Sequence, residues 1–241
     1  MKKQTAMLIG LLCLVGTTTA GAAECVVLLH GLGRTSLSMI RLQTSLERSG
    51  YVVWNRSYPS TRQPIEQLSE VVGEAVEHCR KQGAEKIHFV THSLGGILVR
   101  VYLRDRKVPE AGRIVMLAPP NHGSEVADTY RSSAWFQWAT GPAGQQLGTG
   151  GDSLPKRLEP LKLEVGIVAG TKSSDPWFSG VFRDRHDGKV SVASTRLPEM
   201  TDFLTVESGH TFIMNSGEVV QQVKSFLRTG AFSKQRVAPV E

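Results

Sequence analysis

Short apolar runs recur along this chain, and each is separated from the next by a segment with helical spacing. Residues 26–29, 87–90, 114–117 and 165–169 hold at most one polar residue apiece, and 51–55 and 203–206 are more mixed but strand-like. A strand that is apolar on every side chain has no face to show to water, so it must be covered above and below. Apolar runs alternating with helices therefore predict an α/β fold, with a mostly parallel sheet of about six strands and helices on both faces. The helical segments are 36–49, closed by Gly50, and 64–80, opened by Pro64 and closed by Gly83. A third follows Ser93, and a fourth runs over 217–227 with Asn215 or Ser216 as cap. Ligands of such sheets bind at the carboxyl ends of the strands.

The ends of the chain are different. Lys2 and Lys3 precede an apolar stretch, 6–16, which is too short to span a membrane as a helix. Ala20-Gly21-Ala22 follows as a small-x-small cleavage site, so residues 1–22 are expected to be a signal peptide cut after Ala22 or Ala23. The expected destination is the periplasm or the exterior. The remaining chain of about 218 residues suits one domain, 24–229, with a loose tail at 230–241. Loss of Lys2 and Lys3 takes the formal charge from +6 to +4. No dense Lys/Arg tract with interleaved aromatics occurs, which argues against a nucleic-acid partner. The arginines at 34, 41, 48, 56 and 62 read as a solvated face or as contacts to an anionic lipid surface. Cys25 and Cys79 survive processing, and two readings stand: a bridge across one edge of the sheet, or two buried free thiols. No metal-ligand spacing is present, and no cofactor is implied.

The chemistry-bearing residues follow strands. Residues 87–90 lead into Thr91-His92-Ser93-Leu94-Gly95-Gly96 and at once into a helix. A strand–turn–helix of this kind lifts a serine above the end of the sheet on a strained turn. His30-Gly31-Leu32-Gly33, after the first strand, is a turn whose amides can face a ligand closely, and the Leu94 amide is a natural second donor. Serine needs a base. Of the histidines, His210 has the right edge and order, since it follows the last strand and precedes the last helix. His30 and His122 read as loop-packing residues, and His92 is expected to point elsewhere across the turn. The carboxylate that orients the base is Asp187, in Asp-Gly-Lys-Val, with Asp175 and Asp184 as rivals in the same loop and Asp202 less suited.

These motifs, in this order from Cys25 to Leu227, resemble the α/β-hydrolases, and most closely small bacterial lipases and esterases. Thr91 departs from the glycine usual at that position of the motif. The resemblance implies a serine hydrolase with Ser93 as nucleophile, His210 as base and Asp187 as orienting acid. It implies an oxyanion hole from the amides of Leu32 and Leu94, and cleavage of an ester or lipid through an acyl-enzyme. Residues 121–160 are then expected to form a cap or lid. Trp135, Phe136, Trp138, Trp177 and Phe178 would line the acyl pocket or form the cap's own core. Acyl transfer, or thioester or amide cleavage, uses the same triad and is the rival chemistry. A lipid-binding protein without catalysis is the rival of another class.

Overall fold

A computed structural model describes residues 23–173 and 176–233. The expected signal peptide, Asp175 and the tail beyond 233 lie outside them. Six strands form one sheet: β1 (Glu24–Leu29), β2 (Val52–Asn55), β3 (Lys86–His92), β4 (Ala111–Leu117), β5 (Val165–Gly170) and β6 (Asp202–Val206). Their order is β2-β1-β3-β4-β5-β6, and every pairing is parallel.

Side chains of a strand alternate between faces, and the core divides accordingly. Val26 and Leu28 of β1 pack with α1 (Ile40–Glu47) on one side, while Cys25, Val27 and Leu29 point to the other. The second face takes α2 (Ile65–Leu68), α3 (Glu70–Lys81) and α4 (Leu94–Asp105). Three short helices connect β4 to β5: α5 (Glu125–Tyr130), α6 (Ala134–Gln145) and α7 (Leu154–Arg157). After β5 comes α8 (Val192–Thr195). Last is α9 (Gly217–Thr229), which joins α1 on the first face. The Ser216 hydroxyl accepts from the Val219 amide, Glu218 lies in the first turn, and Gly230 ends the helix at φ 77°.

Two predicted helices are subdivided. The first begins as a tight turn over Ser36–Met39 before α1. The second pauses at Ser69, whose hydroxyl donates to the Glu66 carbonyl at 2.7 Å and competes with the helix ladder.

The predicted cap segment is tied to the core at both ends by one buried arginine. Arg100 of α4 donates from Nη1 to the Asn121 carbonyl and from Nη2 to the Leu158 carbonyl, each at 3.1 Å. Asn121 in turn donates to the Thr195 carbonyl at 2.8 Å. Burial lowers the guanidinium pKa to about 10, so the charge survives at neutral pH and is held by carbonyl dipoles. In the middle of the segment, Gly141 turns the chain at φ 60° before Pro142, and a Cβ there would strike the Thr61 carbonyl.

Cys25 and Cys79 are bridged, joining the start of β1 to the end of α3 at the edge of the sheet away from Ser93. The bridge spans 54 residues of sequence, and closing such a loop contributes about 4 kcal/mol on a chain-entropy argument. The double variant C25A/C79A is expected to lose roughly 10 °C of Tm with little change in activity at 25 °C. Thermal unfolding with and without reductant checks this, and an unchanged Tm would remove the bridge from the stability account.

Candidate active site

Four strand ends deliver the residues singled out above. β1 ends in the turn that carries His30 and Leu32, β3 in Ser93, β5 in the loop to Asp187, and β6 in the loop to His210. Ser93 has φ 51° and ψ −119°, a conformation that costs a non-glycine residue about 1–3 kcal/mol. The turn is kept tight by what its neighbours lack. A Cβ on Gly95 would sit 2.7 Å from the Leu29 carbonyl oxygen, and one on Gly31 would sit 3.2 Å from Ser93 Cβ. The Ser93 amide is fixed by the Leu117 carbonyl at 2.9 Å.

His210 Nε2 lies 3.0 Å from Ser93 Oγ, and His210 Nδ1 lies 2.8 Å from Asp187 Oδ2. A carboxylate only accepts, so Nδ1 carries the proton and Nε2 presents a lone pair to the serine hydroxyl. Asp187 Oδ1 accepts from the amides of Lys189 at 3.0 Å and Val190 at 2.9 Å. The Asp187 carbonyl also accepts from the His210 amide at 2.9 Å, so the pair is tied through both main chain and side chain. Glycine at 170 permits this approach, since a Cβ there would meet the Ser208 carbonyl and Asp187 Cβ. Among the described rivals, Asp202 sits at the start of β6 and bonds the amides of Phe203 and Phe232 instead. Asp184 is exposed and has no bond to His210.

His30 orients the first loop. Its Nε2 accepts from the Tyr58 amide at 3.2 Å, so its Nδ1 is the protonated nitrogen and donates to the Gly31 carbonyl at 2.9 Å. Burial holds its pKa below the usual value, in keeping with a neutral ring. Tyr58 stacks on the ring and its hydroxyl donates to the His30 carbonyl. In a planar trans peptide the Leu32 N–H points opposite to the Gly31 carbonyl. With that carbonyl held, the Leu32 amide is aimed away from His30, and Leu32 lines the same cavity as Ser93. Leu94 opens α4, so the helix ladder leaves its amide free.

His92 differs from expectation. It is buried against the site, with Nε2 3.0 Å from the His210 carbonyl and ring centroids 4.9 Å apart. An Nε2 facing a carbonyl must be the donor, which leaves Nδ1 bare beside Gly31. Burial, then the neighbouring His210, holds its pKa well below the ordinary value, so the ring is neutral. The side chain thus pins the main chain of His210. His92→Leu removes that tie and is expected to lower kcat about tenfold, while His92→Gln, which keeps a donor, recovers part of that. Steady-state kinetics of the two variants checks this, and equal activity in His92→Leu and the native chain refutes it.

Ser93, His92 and His210 open into a cavity of about 260 Å³. The predicted cap segment supplies its apolar wall: Val126 and Ala127 from α5, and Trp135, Phe136 and Ala139 from α6, with Leu147 beyond. Phe178 also lines it. Trp138 does not. It lies on the far face of α6 and is 87% exposed, because residues 135, 136 and 139 take the inward positions of that helix. The Trp177 side chain lies outside the described residues. Tyr130 packs against Trp135, Phe136 and Phe178, and Trp135 against Phe136, so the rings that line the cavity also support one another. No cluster of metal-ligating side chains occurs among the described residues.

A family profile described as "Alpha/beta hydrolase family" matches residues 26–221. Solved structures share the fold. The mature lipase BlEst2 of Bacillus licheniformis is 20% identical with a TM-score of 0.70, over 87% of this chain and 93% of that one. An esterase of Pyrococcus furiosus is 15% identical with a TM-score of 0.61, over 86% and 82%. The phospholipase PlaB of Legionella pneumophila is 20% identical with a TM-score of 0.58, over 72% of this chain but 46% of that one. No curated protein matches the sequence.

Proposed function

The chain belongs to the alpha/beta hydrolase family, and on that footing we propose that it cleaves carboxylic esters, as lipases and esterases do, through an acyl-enzyme. The observation that carries this reading is the continuous line of hydrogen bonds from Ser93 Oγ through His210 to Asp187. Ser93 Oγ attacks the ester carbonyl while His210 Nε2 takes its proton. Asp187 stabilises the imidazolium that results. The amides of Leu32 and Leu94 meet the negative charge on the carbonyl oxygen, and each such donor is worth about 3 kcal/mol of barrier. Nε2 then returns the proton to the leaving alcohol. Water, activated in the same way, releases the acid and regenerates Ser93.

The apolar wall from residues 126–147 supports assigning the acyl chain to that side, with residues 121–160 as its cap. Residues 1–22 act as a signal peptide in this reading, followed by the domain over 24–229 and its tail. The bridge between Cys25 and Cys79 supports an oxidising compartment. No helix among the described residues is long and apolar enough to cross a membrane. Of the large apolar side chains exposed among the described residues, Trp135 lines the Ser93 cavity and Phe212 borders the hollow beside it. Their exposure beside the site supports peripheral contact with a lipid surface.

Hydrolysis of nitrophenyl esters from acetate to palmitate tests the proposal. Turnover is expected, with an optimum at short to medium chains, because the cavity holds only about 260 Å³. A parallel run with added alcohol reads acyl transfer. Silence across the series defeats the ester-hydrolase reading.

A further inference from the structure

The cavity around Ser93 is charged in one sense only. Two cations line it, Arg34 from the loop after β1 and Lys189 from the turn that carries Asp187, and no carboxylate does. Asp187 stands behind His210 with both oxygens engaged, so it balances neither cation at the cavity wall. Among the described residues, neither Arg34 nor Lys189 forms an ion pair.

Arg34 is held rather than loose. Its Nη2 donates to the Thr211 carbonyl at 2.9 Å, its guanidinium lies 5.8 Å over the Phe212 ring, and its Nε is buried without a partner. Lys189 also borders a smaller hollow walled by Asp187, His210, Thr211 and Phe212. Asp187 is engaged there with His210, and the Lys189 carbonyl accepts from the Ser124 hydroxyl at 2.7 Å. α5 and α6 give the cavity its apolar wall, and Arg34 and Lys189 give it its charge. Both cations stand beside His210, Arg34 on the Thr211 carbonyl and Lys189 in the Asp187 turn. His210 returns its proton to the leaving alcohol in the proposed reaction, which brings that alcohol within their reach.

Ester cleavage itself needs neither cation, since the oxyanion is met by main-chain amides. Two like charges facing one cavity repel, and a bound anion relieves the repulsion while gaining attraction from both. We propose that the substrate is an acyl ester whose alcohol part carries an anionic group, a phosphate or a carboxylate, held by Arg34 and Lys189. This rests on the ester-hydrolase reading and deepens it by naming the substrate class.

The test compares 1-hexanoylglycerol 3-phosphate with uncharged 1-hexanoylglycerol, both as dissolved monomers, by the ratio of their kcat/KM values. The native protein is expected to favour the phosphate ester by roughly tenfold, chiefly through KM, with the preference shrinking as salt rises. Arg34→Gln and Lys189→Gln are each expected to cut the ratio at least about threefold, and Arg34→Lys to keep most of it. The ratio is read within each variant, so a loss common to both esters, such as loosening of the Thr211 contact, cancels. Vesicles of phosphatidylglycerol and of phosphatidylcholine form the second arm. Preference for anionic vesicles together with the soluble phosphate ester points to a lipid headgroup, and preference for the soluble ester alone points to a free anionic ester. A ratio near one in the native protein overturns the inference and leaves ester hydrolysis standing. A ratio that ignores both glutamine variants overturns the assignment to these cations. No turnover of either ester or of any nitrophenyl ester overturns the proposed function, and this inference with it.

Discussion

Ser93→Ala is expected to reduce ester hydrolysis by a factor on the order of 10⁵ while leaving the fold intact. The hydroxyl makes one bond, to His210 Nε2. The turn itself is set by φ 51° at Ser93, by the Leu117 carbonyl and by the missing side chains at Gly31 and Gly95. Alanine keeps the Cβ and all of those constraints, so Tm should stay within a few degrees. What is lost in the proposed reaction is the nucleophile that forms the acyl-enzyme. The proposed oxyanion donors, the Leu32 and Leu94 amides, are untouched, so a small remaining rate is expected. Hydrolysis of nitrophenyl butyrate by both proteins, with stoichiometric labelling by a fluorophosphonate, is the measurement. A variant that keeps a tenth of the native rate, or that still takes up the label, ends the nucleophile assignment.

Asp187→Asn is expected to lower kcat by about 10⁴, and the surrounding turn gives the reason. Aspartate Oδ1 is held by the amides of Lys189 and Val190, which can only donate. An asparagine must turn its carbonyl oxygen to those amides, and that directs its NH₂ at His210 Nδ1. Nδ1 then has to accept, and the ring proton moves to Nε2. The nitrogen that should take the proton from Ser93 already carries one. The turn thus locks the wrong tautomer in place, so Asp187→Asn should be no more active than Asp187→Ala, although it is the closer isostere. The kcat of both variants on one ester decides it. Native-like turnover in the asparagine variant would mean that Asp187 does not set the tautomer.

The sheet was legible because its strands are short and apolar on both faces, which leaves a covered parallel arrangement as the stable solution. The convergence of Ser93, His210 and Asp187 was legible because Ser93 and His210 follow strands closely, Asp187 lies in the long loop after β5, and the topology brings all strand ends to one edge. His92 was not. Its partner is the main-chain carbonyl of His210, far along the chain, and nothing in the local Thr-His-Ser run encodes that contact. The different fates of Trp135 and Trp138 were hidden for another reason. Residues 134–145 contain a Gly141–Pro142 break and lack a clear apolar stripe, so helical phase could not be read from periodicity. Arg34 and Lys189 look like ordinary surface cations in sequence. Their common cavity appears only when the β1 loop and the Asp187 turn are brought beside His210.

The grip of Arg100 on Asn121 and Leu158 has a consequence for how such a chain can change over generations. Both ends of residues 121–158 are held on the helix that begins at Leu94. Between them, the Ser124 hydroxyl donates to the Lys189 carbonyl at 2.7 Å and the Gln146 side chain accepts from the Ile65 amide at 2.7 Å, so the stretch is also tied to the Asp187 turn and to α2. Substitutions are expected to be borne best at positions clear of these ties, such as Trp138, which is 87% exposed. A lineage could then vary that outer face of α6 without disturbing the ties that position Ser93, His210 and Asp187.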